Sequence, residues 1–383
     1  MRFSSHFWLG LLLFFSILTS FSSCENERKT DRIEEEIIST DYRVKYAKGF
    51  DIQYFESHIN LIIKSPFPDS KQDYVYTLKK KTSRQNRELE SIEIPLKKIV
   101  ATSTTHVPML EILGAADVLV GFPNADYIAS PGTRKRIDQG KLIDIGKDMG
   151  LNTEMVIALQ PEVVIGFALD DSDKAFSTLR KNGIPIIFNG DWLEETPLGR
   201  AEWIKFFGAL LDRDREADSI FNQIEKEYLK ACEIAKRSKE APTILSGILF
   251  KDQWNLPAGE SFTARLYRDA NTNYLWKESK GQGSLVLNFE SVLDRAREAD
   301  FWIGSGIYTS REDLIEANGH YGEFRAFNKN QIYTFSKRKG AGGGIVYFEL
   351  GPLQPHIVLK DLIKVTHPDL LPGYEPFFLQ PLD

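Results

Sequence analysis

Cysteine is nearly absent: the 383 residues hold two, Cys24 and Cys232. A cysteine-built metal centre is thereby excluded. Histidine is scarce too, and no His-Glu-x-x-His pairing occurs, so the zinc-hydrolase helix is missing. Gly-x-Ser-x-Gly, Gly-x-Gly-x-x-Gly after a strand and a paired-carboxylate signature are missing as well, which argues against an enzyme. No Lys/Arg block dominates any segment and the net charge is −6, whereas phosphate backbones demand concentrated positive charge. Nucleic acid is not expected as a partner. What remains is an ordinary globular balance, 42% apolar and 27% charged, in a chain long enough for two lobes with separate cores.

The apolar residues are not spread evenly. Arg2 precedes an apolar stretch over residues 7–21, then Ser22-Ser23-Cys24. One cation, about 15 apolar residues and small residues before a cut read as a secretory signal, since a spanning helix needs roughly 20. The cysteine directly after the two serines resembles a bacterial lipobox, although Phe21 stands where Leu is preferred. That resemblance implies cleavage before Cys24 and acylation of its thiol. A plain secretory signal or an uncleaved anchor are the alternatives. With Cys24 acylated no intramolecular disulfide is possible, and Cys232 falls in an apolar helical series with Ala217, Phe221, Ile224 and Tyr228, a packing position. Residues 24–45 are highly charged and read as a tether.

The expected division is a signal peptide over 1–23, the tether over 24–45, a small β extension over 46–97, a first α/β lobe over 98–212, an interlobe helix over 213–240 and a second α/β lobe over 241–383. In the extension, 50–55, 59–63 and 74–78 are short antiparallel strands between turns. Strand-like runs at 98–102, 118–121, 163–165 and 184–188 then alternate with helical ones at 107–113, 153–159 and 174–181. That pattern predicts a parallel sheet covered on both faces. Helices follow over 199–211 and 214–239. Alternation restarts with strands 243–250, 301–303 and 331–335 and helices 262–276, 289–299, 311–317 and 353–366. The second connecting helix, free of Gly and Pro, predicts a stiff rod near 37 Å long that permits only slight opening.

The two halves echo each other. Asn152-Thr153-Glu154-Met155-Val156-Ile157 leads to Val163-Val164-Ile165-Gly166, and Asn288-Phe289-Glu290-Ser291-Val292-Leu293 leads to Phe301-Trp302-Ile303-Gly304. Asn caps each helix, and Glu in the first turn complements the positive dipole end. Capping alone suffices to explain each glutamate separately.

In order along the chain, 98–106, Leu113-Gly114-Ala115-Ala116-Asp117, Val120-Gly121, 152–165, Gly183-Ile184-Pro185, the long helix, 355–362 and His367-Pro368 together resemble the substrate-binding lipoproteins of ABC importers for cobalamin and ferric siderophores or haem. The similarity covers residues 99–371. It implies two Rossmann-like lobes bridged by one long α-helix and preceded here by the small β extension. A metal-chelate ligand between the lobes is implied, with corrinoid and ferric siderophore ahead of haem, and no resident cofactor. Glu154 and Glu290 stand at the positions that dock such proteins into arginine pockets of the permease subunits, chemistry suited to bidentate carboxylate–arginine pairs. A monomer anchored in the bacterial cell envelope, facing the periplasm or the exterior, follows. The competing readings are a haem- or metal-carrying surface lipoprotein without an importer, and an adhesion module without an enclosed pocket.

Ligands of open α/β sheets sit beyond the carboxyl ends of the strands. The loops there supply aromatic Tyr127, Phe167, Trp192, Trp254 and Tyr308, with Thr105, Asn124, Gln253, Asn255, Lys337 and Arg338 as polar partners. Such walls suit a large, rigid ligand with polar edges; core packing is the competing reading for each ring. His106 has no ligand cluster nearby, so a structural or hydrogen-bonding role competes with metal ligation. His320 beside Tyr321 is a second lone candidate. Lys337 and Arg338 precede Gly340-Ala341-Gly342-Gly343-Gly344, which lacks the ending of a phosphate loop and is read as a seat for a ligand carboxylate or phosphate.

Overall fold

A computed structural model describes residues 37–38, 42–64, 66–68, 70, 72–81, 91–146, 150–166 and 173–383. The expected signal peptide, Cys24, most of the tether and Phe167 lie outside them. Among the described residues no helix is long and apolar enough to cross a membrane.

In the first lobe five strands pair in parallel, in the spatial order Ile143–Asp144, Leu119–Phe122, Ile99–Ala101, Val163–Gly166, Ile186–Phe188. The last three are buried along their whole length, as β-branched strands covered on both faces must be. Chain order reverses between Ile99–Ala101 and Val163–Gly166. The second lobe runs Asn273–Tyr274, Thr243–Ser246, Phe301–Ile303, Ile332–Thr334, Gln380–Pro381, the final strand antiparallel. Here the reversal falls between Thr243–Ser246 and Phe301–Ile303. Both reversals are switch points, where open sheets leave a crevice.

The strand expected over 243–250 is two strands in different sheets. Gly247, at φ +82°, turns the chain after Ser246, and a side chain there would meet the Asn255 carbonyl oxygen at 2.0 Å. Ile248–Phe250 then pairs with Gln253–Pro257, which pairs with Ser284–Leu287, in a separate antiparallel sheet. The helix expected over 262–276 is Phe262–Asp269 and ends ahead of Asn271, whose φ is +56°. Likewise 199–211 is not one helix: Pro197–Glu202 and Ile204–Leu211 break at Trp203, whose indole is buried against Phe50 at 4.5 Å.

Asp214–Ala235 is the connecting helix, about 33 Å long at 1.5 Å per residue. Its buried stripe is Ala217, Phe221, Ile224, Tyr228, Ala231 and Ala235, and it packs on Ile204–Leu211 and Pro355–Thr366. Cys232 is half-buried on it, and burial pushes its thiol up to about 12.

The extension holds Phe50–Tyr54, Ile59–Ile63 and Tyr74–Lys80 in antiparallel register, but its fourth strand, Ser91–Ile94, is parallel to the third. Tyr74 and Phe67 pack on Phe188 of the first lobe at 5.0 and 5.9 Å. The folded body starts earlier than a tether over 24–45 allows. The amides of Lys45, Tyr46 and Ala47 donate to buried Glu202 (2.6–2.9 Å), and those of Lys48 and Gly49 to buried Glu194 (2.8–3.0 Å). These carboxylates satisfy main-chain donors that form no regular structure of their own.

Candidate functional site

At the first lobe's switch point the chain leaves Ala101 and enters the helix His106–Ile112. Thr105 Oγ1 donates to buried Asp191 Oδ2 at 2.6 Å, and the Asp191 amide donates to Asn189 Oδ1 at 3.0 Å. This ties the loop after Ile99–Ala101 to the loop after Ile186–Phe188. The Thr105 hydroxyl proton is therefore committed within the protein. His106 is fully buried, its ring 5.5 Å from Phe207. Burial holds its imidazole below the ordinary value against the opposing charge of Asp191. No ligand surface remains on it, so His106 is corrected to a core residue. Asn124, at φ +54°, donates its amide to Asp144 Oδ1 (3.1 Å) and shapes the loop that leaves Tyr127 64% exposed. Trp192 is half-buried.

The second lobe's wall follows from strand alternation. Along Gln253–Pro257, Trp254 and Leu256 point into the core while Asn255 and Pro257 point out. Trp254 has no exposed surface. It packs on Trp302 (5.4 Å), Phe324 and Tyr321 and donates Nε1 to the Ser246 carbonyl at 3.0 Å. As a ligand residue Trp254 is corrected: the pleat that presents Asn255 buries its neighbour. Asn255 sits between Ile248 and Val286 across the three strands. With exposed Phe250 and Val286 these form an apolar outer face that no sequence periodicity singled out. Tyr308 is half-buried, beside the exposed Ile307.

Arg338 is exposed, donates Nε to the Phe377 carbonyl (3.0 Å) and lies 4.3 Å over the Phe377 ring. Lys337 pairs with Asp383. The glycine run beyond them is not a ligand loop. A Cβ on Gly344 would lie 1.9 Å from the Tyr127 carbonyl oxygen, and one on Gly342 2.2 Å from that of Asp126. The run instead lies against first-lobe backbone. Beside it, buried Glu349 accepts from the amides of Ala129 (2.6 Å) and Ser130 (2.9 Å).

Between the lobes lies a recess of about 200 Å³, lined by Arg200, Asn255, Ser261, Phe262, Gln282 and Ser284 among others. Arg200 comes from the first-lobe side. Its Nε donates to the Glu194 carbonyl (3.2 Å), its Nη2 to the Trp192 carbonyl (2.8 Å), and its Cζ sits 4.0 Å over the Phe262 ring. Gln282 bonds Glu195 across the same gap. Arg200, Phe262 and Gln282 escaped the sequence reading. One signal was there: Arg200, Glu202 and Lys205 punctuate an otherwise apolar run, which calls for buried partners.

Glu154 and Glu290 occupy matching places. Each lies in the first turn of a helix, Thr153–Leu159 or Phe289–Ala296. Each helix is capped by an asparagine side chain, Asn152 accepting from Met155 N (3.1 Å) and Asn288 from Ser291 N (2.8 Å). Both glutamates are exposed and have no ion-pair partner among the described residues. Those residues also hold no group of three or more His, Cys, Asp or Glu placed to bind a metal ion.

Residues 99–338 match the periplasmic binding protein family. The chain belongs to that family. Similar proteins include a lipoprotein of Methanocaldococcus jannaschii, 24% identical over 96% of this chain and 94% of the relative. A second lipoprotein of that organism is 25% identical over 74% and 72%. Among solved structures, a periplasmic binding protein of Veillonella parvula superposes with a TM-score of 0.58 at 13% identity, covering 81% of this chain and 98% of its own. A periplasmic heme binding protein of Pseudomonas aeruginosa gives 0.57 at 16%, covering 75% and 98%. At these identities the structures show the shared two-lobe fold. Family membership makes this chain a periplasmic solute-binding protein, which binds a small ligand without transforming it.

Proposed function

We propose that the chain is the lipid-anchored, monomeric receptor of an ABC importer that captures a metal chelate between its lobes and delivers it to the permease. The proposed lipid is on Cys24, a reading supported by relatives named as lipoproteins. The ligand classes are corrinoid, ferric siderophore and haem. Solved neighbours described as a heme binding protein and a possible iron-binding protein support the iron-bearing two.

One observation carries the proposal. The two lobes present the same exposed carboxylate, without an ion-pair partner among the described residues, at an asparagine-capped helix start, Glu154 and Glu290. A helix cap needs the asparagine but does not need a free acid in both lobes. Arginine pockets on the permease would accept both acids as bidentate partners, one per lobe, so lobe separation could be sensed at the docking face. The chelate would rest against Asn255, Phe250 and Val286 on one side and Tyr127 and Trp192 on the other.

The test is the double substitution Glu154→Ala plus Glu290→Ala. Ligand affinity measured by tryptophan quenching should stay within about twofold of the parent, since surface changes cost little, while uptake by cells should be lost. Normal uptake by the double variant removes the docking assignment.

A further inference from the structure

We propose that Glu349 and Glu111 form a proton-operated latch between the lobes, closed while the pair holds a proton and loosened when both carboxylates are charged; as regulation of ligand exchange this rests on the receptor reading above. Both acids converge on Ser130, at the start of the helix Pro131–Asp138. From the second lobe, Glu349 accepts from the amides of Ala129 (2.6 Å) and Ser130 (2.9 Å). From the first lobe, Glu111 accepts from the Ser130 hydroxyl and from Thr133 Oγ1 at 2.5 Å. Glu349, Ser130 and Thr133 are buried and Glu111 is half-buried. Two carboxylates that share a site cannot both ionise without cost, and burial adds to it.

The cations nearby are spent elsewhere. Arg134 serves the Ala125 carbonyl (2.8 Å), Asp126 and Asp138, and Lys337 serves Asp383. Arg338 is held by the Phe377 carbonyl and ring, and Arg200 acts on Tyr347, two residues before Glu349. His106, on the helix that carries Glu111, is kept from charging by burial. Other buried acids are better supplied. Asp361 receives three amides and the Tyr374 hydroxyl, and Glu202 receives three amides and Lys205. Glu349 receives two amides and faces a second acid. Burial raises its carboxyl to about 7, the two amides opposing and Glu111 adding to the rise. Once the lobes part, water reaches Glu349 and returns it toward an ordinary 4.5. Closing thus takes up a proton between those values, so acid favours the closed form and rising pH loosens it. The latch sits beside the cleft: a Cβ on Gly340 would lie 2.4 Å from Ala129 Cα, and the same first-lobe loop presents Tyr127.

Lobe separation is read in the full chain by dipolar distances between spin labels at Lys135→Cys and Lys329→Cys, both exposed and one in each lobe, with Cys232→Ala. From pH 5 to 8 the ratio of closed to open chains should fall about tenfold or more, and by at most about a hundredfold. Glu349→Gln should make the ratio independent of pH. Because that amide offers two donors only one carbonyl oxygen, Glu111→Gln is the second variant. It should keep the response and move its midpoint to lower pH, since the neighbouring charge is gone. A contact that only packs has no midpoint to move. A ratio that does not change with pH, a response that survives Glu349→Gln, or a midpoint unmoved by Glu111→Gln overturns the latch. Each of these leaves the receptor reading standing, because capture and docking are read by quenching and uptake. Normal uptake by the docking variant leaves the distances as they are, so the two failures are separate.

Discussion

The extension and the second lobe both press on the first lobe, but by different means. Every amide from Lys45 to Gly49 is received by Glu202 or Glu194, the Trp203 indole also donates to Glu194 at 3.1 Å, and buried Lys205 joins Glu202 (3.2 Å), Asp218 (3.1 Å) and the Arg43 carbonyl (2.7 Å). Tyr54 adds a bond to Asp214 at the head of the connecting helix. Where described, the lobes meet through the pair of amides on Glu349, the Gln282–Glu195 bond, the Arg200–Phe262 stack and close backbone packing by glycines. A densely satisfied buried network cannot open one bond at a time without stranding charge. Sparse contacts can separate and reform. The extension is thus tied to the first lobe and connecting helix by a network of buried charge, whereas the described lobe–lobe contacts rest on fewer hydrogen bonds.

Breaking that network should have the largest effect. Glu202→Ala strands the amides of residues 45–47 and leaves Lys205 less compensated in the interior, so urea unfolding should show a loss of about 3–5 kcal/mol. A loss below about 1 kcal/mol would mean that water replaces the carboxylate and the network does not hold the junction.

The lobe contact should respond to pH instead. Burial pushes the Glu349 carboxyl up to about 7 from an ordinary 4.5, against the amides of Ala129 and Ser130 and with Glu111 adding to the rise. Between those values the folded chain holds a proton that the unfolded chain has released. This group's contribution therefore declines as pH rises from 4.5 to 7, by at most about 3 kcal/mol. His106 and His356 act oppositely: burial depresses both, His356 to about 4 with Lys360 helping, so each favours folding above its unfolded value and loses that as pH falls. The difference between the parent and Glu349→Gln, followed by thermal melting from pH 5 to 8, isolates the carboxyl. Parallel curves would remove it as a titrating contact.

A smaller effect is expected from Gly344→Ala. Its methyl must displace the Tyr127 carbonyl, an overpacking cost of about 1–3 kcal/mol that lobe opening can relieve. Small-angle scattering should show a larger radius of gyration, with the urea midpoint little changed; an unchanged radius would place the glycine run in a fixed contact. Least of all, Glu154→Ala plus Glu290→Ala should move stability by about 0.5 kcal/mol or less, because both sites are exposed and the caps remain.

Local patterns carried much of the fold. Helix 174–181 and the strand runs at 99–101 and 163–165 were legible because their apolar spacing repeats one geometry, and the Asn-x-Glu echo because a cap needs only neighbours in sequence. The site was less legible. Trp254 and Asn255 are adjacent, yet one is core and the other surface, and only the pairing of Gln253–Pro257 with its neighbours sets which face is buried. The glycine run looked like an anion loop because its partner, the backbone at 126–129, is distant in the chain.

The amino-acid sequence alone determined an alternating α/β chain, a long unbroken connecting helix and two capped helix starts that each carry a glutamate, since all of these depend on contacts within a few residues. The tertiary structure alone decided that His106 and Trp254 are core, that Arg200 meets Phe262, and that residues 45–49 rest on Glu194 and Glu202. Burial and charge pairing are properties of surfaces brought together from far apart, and no local spacing encodes them.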